Sequence, residues 1–121
     1  MDKENEKVII AGYLESTTEE IERTIARILL VSEGVSTATM ADEGLANTVA
    51  KYLSNRMSVF RQNLCVDWNL GEKIKSSAFG NNVELVAAIA DVIAPLVGAP
   101  PALMVATLLF KRGLQELCKD V

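Results

Sequence analysis

The chain has 121 residues, of which 50% are hydrophobic and 5% aromatic, so we expect one domain with an aliphatic core. A formal charge of −4 and a pI of about 4.8 argue against a general nucleic-acid-binding protein. The sequence contains no histidine, the commonest general base and metal ligand, and no glycine-rich phosphate-binding motif, so we predict no catalytic residue, no metal ion and no cofactor.

The first predicted helix covers residues 5–31, because its apolar residues recur at the spacing of helical turns: Ile10, Leu14, Ile21, Ile25 and Ile28. Two alternatives remain open within it. The β-branched segment Val8–Leu14 is compatible with a strand, although no partner strand is evident. Thr17 and Glu20 form a capping-box pattern, which would start a separate helix at about residue 18. Either way, Ser32-Glu33-Gly34 ends the element.

The second predicted helix covers residues 37–64 and is amphipathic, with an apolar stripe formed by Ala41, Leu45, Val49, Tyr52, Leu53, Met57, Phe60 and Leu64. Arg56 lies in the middle of this stripe. One interpretation is that its aliphatic stem packs while the guanidinium reaches solvent at the edge of the stripe. The other is an ion pair, with Asp91 or an acid of the first helix as the partner.

Two shorter helices are predicted at residues 69–78 and 82–97. Asn69 with Glu72, and Asn81 with Glu84, have the spacing of a capping box, and Gly80 is expected to end the first of the two helices. In the second, the large apolar residues share one broad face. Asp91 lies on the opposite, small and polar side of that helix, where we expect it to be exposed to solvent.

The segment Gly98-Ala99-Pro100-Pro101 predicts a break followed by a last helix over 101–118. The two C-terminal helices should therefore form an antiparallel hairpin over 82–118. Counting back from the turn places Asp91 opposite roughly Leu108, within reach of Lys111 or Arg112.

The first half of the last helix is apolar on every side. Met104, Val105 and Leu108 lie on the side that carries charges one or two turns later, and Leu109 lies beside them. A helical turn that is apolar all round must be buried all round. Either the second helix or a partner subunit must cover these four residues. We expect a partner subunit, and therefore a homo-oligomeric interface centred on them.

The uncharged stretch Val92–Phe110 also permits a membrane interpretation. Its nineteen residues would span ~28 Å as a helix, close to the ~30 Å hydrocarbon core of a bilayer. Gly98 and two adjacent prolines fall in mid-span, however, and the large side chains of 83–97 segregate to one face. These features favour a soluble bundle over a membrane-associated hairpin.

The two cysteines, Cys65 and Cys118, are expected to be free thiols. The charged N-terminal sequence leads into no apolar signal core before Glu15, which suggests the reducing cytoplasm. Charge is uneven along the chain: residues 1–43 hold ten acids and four bases, and residues 44–121 hold six acids and eight bases. The first interpretation is that the first helix simply has a solvated acidic face. The alternative is that the two parts attract each other, within one chain or between chains.

Together these features predict an all-α, single-domain helical bundle of about five helices over residues 1–121, with an apolar C-terminal hairpin. The function expected first is that of a non-enzymatic interaction or adaptor protein that self-associates in the cytoplasm. The alternative is a small membrane-active protein, such as an effector or pore-forming component, that inserts residues 83–110. Neither an enzyme nor a nucleic-acid partner is expected.

Overall fold

The computed structural model describes residues 3–34, 42–76 and 79–119, and no strand occurs within these ranges. The predicted all-α fold is thus confirmed. The helices in chain order are α1 (Lys3–Glu15), α2 (Thr18–Ser32), α3 (Asp42–Arg61), a π-helix (Gln62–Asp67), α4 (Leu70–Lys75), α5 (Asn82–Ile93), a 3₁₀ turn (Ala94–Leu96), α6 (Ala102–Arg112) and α7 (Leu114–Leu117).

The N-terminal element consists of two helices rather than the single helix predicted over 5–31, so of the two alternatives the separate start at Thr17 is the one observed. The Thr17 hydroxyl oxygen accepts a hydrogen bond from the Glu20 backbone at 3.1 Å, and the Thr17 backbone N–H donates to the Glu20 carboxylate at 3.2 Å. The bond from the Thr17 backbone to the Glu20 carboxylate, together with a second bond that the Thr17 hydroxyl donates to the same carboxylate, lowers the pKa of Glu20. The alternative of a strand over Val8–Leu14 is wrong, because that segment lies within α1.

The long amphipathic helix ends in a π-helix. Helix α3 runs to Arg61, and the next six residues continue as π-helix and bury Leu64 and Cys65. The start predicted at residue 37 lies outside the described residues, which resume at 42. A π-helix has a wider turn than an α-helix and is often found at functional sites. This one determines where Cys65 lies.

Helix α4 differs from its prediction at its start. Asn69 adopts a left-handed backbone conformation with φ 57°, and its side chain makes no capping hydrogen bond. The predicted cap is wrong because an N-cap residue needs an extended backbone. The helix ends at Lys75, and the predicted end at residue 78 lies outside the described residues. The Gly80 N–H donates to the Glu84 carboxylate at the entry to α5.

The C-terminal hairpin is confirmed. The Asn81 side chain accepts from the Glu84 backbone at 2.9 Å and caps α5, which packs against α6. The break between them includes Gly98 at φ +77°, a conformation that favours glycine, and Pro101 at the start of α6. The last predicted helix ends early. Gly113, at φ +109°, separates α6 from the four-residue helix α7.

Helix α6 lies at the centre of the bundle, packed against α1, α2 and α5. This position explains why six consecutive residues, 104–109, are buried. One hydrophobic cluster includes buried residues from all seven α-helices and the π-helix, so the described residues form a single domain. No helix in the described part of the chain is both long enough and apolar enough to cross a membrane.

Candidate functional site

The four residues predicted to form an oligomeric interface lie inside the chain. The exposed fractions are 7% for Met104, 0% for Val105, 0% for Leu108 and 3% for Leu109. The expectation that a single chain would leave them exposed is wrong. Their cover comes mainly from α1, α2 and α5, which surround α6, and so the argument for an interface at these residues no longer holds.

Arg56 and Asp91 do not form the predicted ion pair among the described residues. Asp91 is exposed on α5, in a shallow hollow that it shares with Pro101 and Leu103 near the hairpin turn. Arg112, the other predicted partner of Asp91, instead pairs with Glu22 of α2 at 2.6 Å. That pair joins the acidic N-terminal part to the basic C-terminal part within one chain.

Arg56 and Tyr52 hold the turn of the hairpin. They are four residues apart on α3 and therefore share a face. The Tyr52 hydroxyl donates to the Val97 carbonyl, and the Arg56 Nε–H donates to the Leu96 carbonyl at 3.3 Å. The Arg56 guanidinium lies 4.3 Å from the centre of the Tyr52 ring, a cation–π contact. Burial raises the pKa of Tyr52, and the nearby positive charge of Arg56 partly opposes that rise.

A hollow of about 450 Å³ opens beside this arrangement, between the end of α2, the middle of α3 and the hairpin turn. We call it the Arg56 hollow. Its lining is mostly polar and consists of Leu29, Leu30, Ser32, Glu33, Thr48, Lys51, Tyr52, Asn55, Arg56 and Ala99. Two of these side chains are cationic and one is acidic, in a chain whose net charge is −4.

The guanidinium of Arg56 has unused hydrogen-bonding capacity. It carries five N–H donors, and the one on Nε is bonded to Leu96. Within residues 3–34, 42–76 and 79–119, no carboxylate lies within ion-pairing distance of the terminal nitrogens. The guanidinium also lies close to the turn, because a Cβ added at Gly98 would lie 3.2 Å from Nη2 and would require a shift of a few tenths of an ångström.

The two cysteines are bonded to each other, so the prediction of free thiols is wrong. Cys65 lies in the π-helix and Cys118 follows α7, and their Cα atoms are 5.5 Å apart despite a sequence separation of 53 residues. A hydrogen bond from the Arg61 Nε–H to the Leu117 carbonyl, 3.0 Å long, joins the same two segments. Nothing in the sequence indicated this meeting, because cysteine pairing depends on tertiary contacts.

A second hollow, of about 430 Å³, lies against this bond. We call it the disulfide hollow. It is lined by Cys65, Asn69, Gly71, Glu72, Ile74, Lys75, Leu114, Gln115 and Cys118. The left-handed Asn69 belongs to its wall, and the π-helix contributes Cys65, so two unusual backbone features adjoin this hollow. No cluster of three potential metal ligands occurs in the described part of the chain.

The structure defines the chain as a single-domain, all-α helical bundle. No protein-family model matches the chain, and no curated protein or solved structure is significantly similar to it. The two hollows are therefore the features of the structure on which a functional proposal can rest.

Proposed function

We propose that the protein is a non-enzymatic interaction protein that binds an acidic segment of a partner protein in the Arg56 hollow. The observation that carries this proposal is the guanidinium of Arg56, which is held by the chain yet has no acidic partner among the described residues. A half-buried arginine that is held in place without a counter-charge favours a ligand that supplies one.

The support for a carboxylate ligand comes from how Arg56 is held. Its bond to Leu96 and its stacking on Tyr52 fix the plane of the guanidinium before any ligand arrives. A fixed guanidinium loses little rotamer entropy on binding and accommodates a carboxylate through two parallel hydrogen bonds. Lys51 adds a second positive charge at the same hollow, and Asn55 adds further hydrogen-bonding capacity.

The support for a protein segment, rather than a polyanion, comes from the surroundings. Thr48, Asn55 and Val59 fall within ~20° of one line along α3, by helical periodicity. Val59 is 41% exposed, so an apolar side chain continues the polar hollow along the helix. Glu33 in the lining and the net charge of −4 both repel densely charged nucleic acid. A segment with few carboxylates and an apolar residue suits this surface best.

Three earlier expectations stay predictions. Self-association is untested, but a surface other than Met104, Val105 and Leu108 would have to mediate it. A cytoplasmic location is untested as well, and its argument from free thiols no longer holds. Membrane insertion of 83–110 is the alternative function, and no observation favours it, because the apolar residues of this segment form much of the core.

Replacing Arg56 by glutamine should weaken binding of an acidic peptide about tenfold or more, because a charge-assisted hydrogen-bond pair is lost. The probe is a fluorescein-labelled peptide of alternating glutamate and leucine, followed by fluorescence anisotropy. The matched control is Arg27→Gln, which changes the net charge equally. Arg27 is exposed on α2, and by helical periodicity it faces away from the hollow.

Arg56→Lys should give an intermediate affinity, because it keeps the charge but loses the planar fork. A peptide with glutamine in place of glutamate should bind weakly to the wild type. Equal losses in Arg56→Gln and Arg27→Gln would show that only overall charge matters. Unchanged affinity in Arg56→Gln would contradict the proposed site outright. Circular dichroism of each variant establishes that the helices are intact.

A further inference from the structure

The disulfide hollow exposes the Cys65–Cys118 bond to solvent, although Cys65 belongs to the hydrophobic core. Cys65 is 7% exposed, whereas Cys118 is half-buried, and both line the hollow. A thiolate must approach one sulfur atom directly in order to attack a disulfide, so accessibility decides which sulfur reacts. Cys118 is the more exposed residue of the pair.

We propose that the disulfide hollow is a site of reversible thiol–disulfide exchange with a small peptide thiol of the glutathione class, and that the attack falls on Cys118. The hollow, of about 430 Å³, is large enough for a peptide of a few residues. Lys75 and Glu72 both line the hollow, so in this proposal the lysine attracts the attacking thiolate and the glutamate attracts the amino group of such a peptide.

The thiol–disulfide exchange needs only the small thiol and water, and no separate oxidant or reductant. The thiolate sulfur of the small thiol forms a bond to the Cys118 sulfur while the Cys65–Cys118 bond breaks, and the electron pair leaves on the Cys65 sulfur, which takes a proton from water. A second molecule of the same thiol, as its thiolate, then attacks the mixed disulfide. It leaves as the oxidised dimer and releases the Cys118 thiolate. The protein gains two electrons, and two thiols are oxidised.

The segment that this reaction releases is short and has a pivot. Helix α7 has four residues, and an isolated helix of that length is unstable in water. Gly113, at φ +109°, joins it to α6. Once the bond to Cys65 is broken, α7 is held by the bond from Arg61 to Leu117 and by the burial of Leu114 and Leu117. Exchange at Cys118 should therefore loosen residues 113–119 while the rest of the bundle stays folded.

The disulfide hollow shares no lining residue with the Arg56 hollow, so the two sites can be tested independently. Exposed disulfides are more often labile or regulatory than buried structural disulfides are.

The test uses the full-length oxidised protein and reduced glutathione. The reaction is quenched with acid at successive times, and the adduct is located by peptide mapping in a mass spectrometer. We expect glutathione on Cys118. In the reduced protein we also expect the amides within 114–118 to exchange through local opening, about tenfold or more faster than the amides of α5, which still require global unfolding. An adduct on Cys65, or no reaction unless denaturant is added, would overturn the proposal.

The variant Lys75→Gln tests whether the hollow binds the small thiol before the reaction or whether the thiol reacts by simple collision. We expect it to slow the reaction with glutathione about two- to threefold, and to slow the reaction with uncharged dithiothreitol less. Lys51→Gln, the same change of charge in the Arg56 hollow, should leave both rates unchanged. Equal rates in all three proteins would show that Lys75 does not attract the thiol and would contradict the proposed binding mode.

Discussion

Removing the bond between Cys65 and Cys118 should lower the free energy of unfolding by about 4 kcal/mol. The bond closes a loop between residues 53 apart in sequence, and the chain-entropy model gives this magnitude for such a loop. The melting temperature should fall by about 15 °C for a domain of this size. The measurement is urea and thermal denaturation of the oxidised wild type and of the double variant Cys65→Ala, Cys118→Ala.

Reduced wild type is the matched control for this experiment, because it lacks the bond but keeps both side chains. It should lose nearly as much stability as the double variant. A loss below about 1 kcal/mol in both proteins would mean that the reduced, unfolded chain is already compact, or that the bond does not constrain it.

Leu108→Ala should lower the free energy of unfolding by about 3 kcal/mol. Leu108 has no exposed surface and lies on the central helix α6, so the shortened side chain leaves a cavity that the surrounding helices cannot fill completely. Urea denaturation measures the loss. Val31→Ala is the control. Val31 is 64% exposed at the end of α2, and its truncation should change stability by less than about 0.5 kcal/mol.

The outcome that would contradict this prediction is a small loss in Leu108→Ala together with a stability that depends on protein concentration. Leu108 would then be buried between chains rather than within one, as the sequence first suggested. A large loss that is the same at every concentration is the result expected for a residue in the core of one chain.

Local signals in the sequence predicted local structure well. Thr17 and Glu20 are close in sequence, and their side chains and backbone groups alone make the cap of α2. The break at Gly98 likewise depends on backbone preferences that the chain carries at that point. Such signals need no tertiary contact, which is why the start of α5 and the hairpin break could be predicted from the sequence.

The same kind of signal failed at Asn69. Asn81 and Asn69 are each followed three residues later by glutamate, yet only Asn81 caps a helix. The chain leaves a π-helix just before Asn69 and must turn sharply there, so the backbone is left-handed where a cap needs it extended. No pattern in the sequence showed that the preceding helix would end in this way.

The candidate sites were missed because each depends on distant residues. The guanidinium of Arg56 is held by a carbonyl 40 residues away, and Cys65 meets Cys118 across 53 residues. Periodicity showed that Met104 to Leu109 need cover on all sides, but not which helices provide it. Because α1 and α2 supply much of that cover, the interpretation as an exposed interface failed.

The central claim is that the apolar C-terminal segment forms the core of one chain. Amide hydrogen exchange of residues 104–109, followed by mass spectrometry, tests this claim most directly. We predict that these amides exchange only through global unfolding, and that their rates stay the same when the protein is diluted about a hundredfold. Protection that weakens on dilution, or rapid exchange at every concentration, would show that another chain or a membrane covers the segment instead.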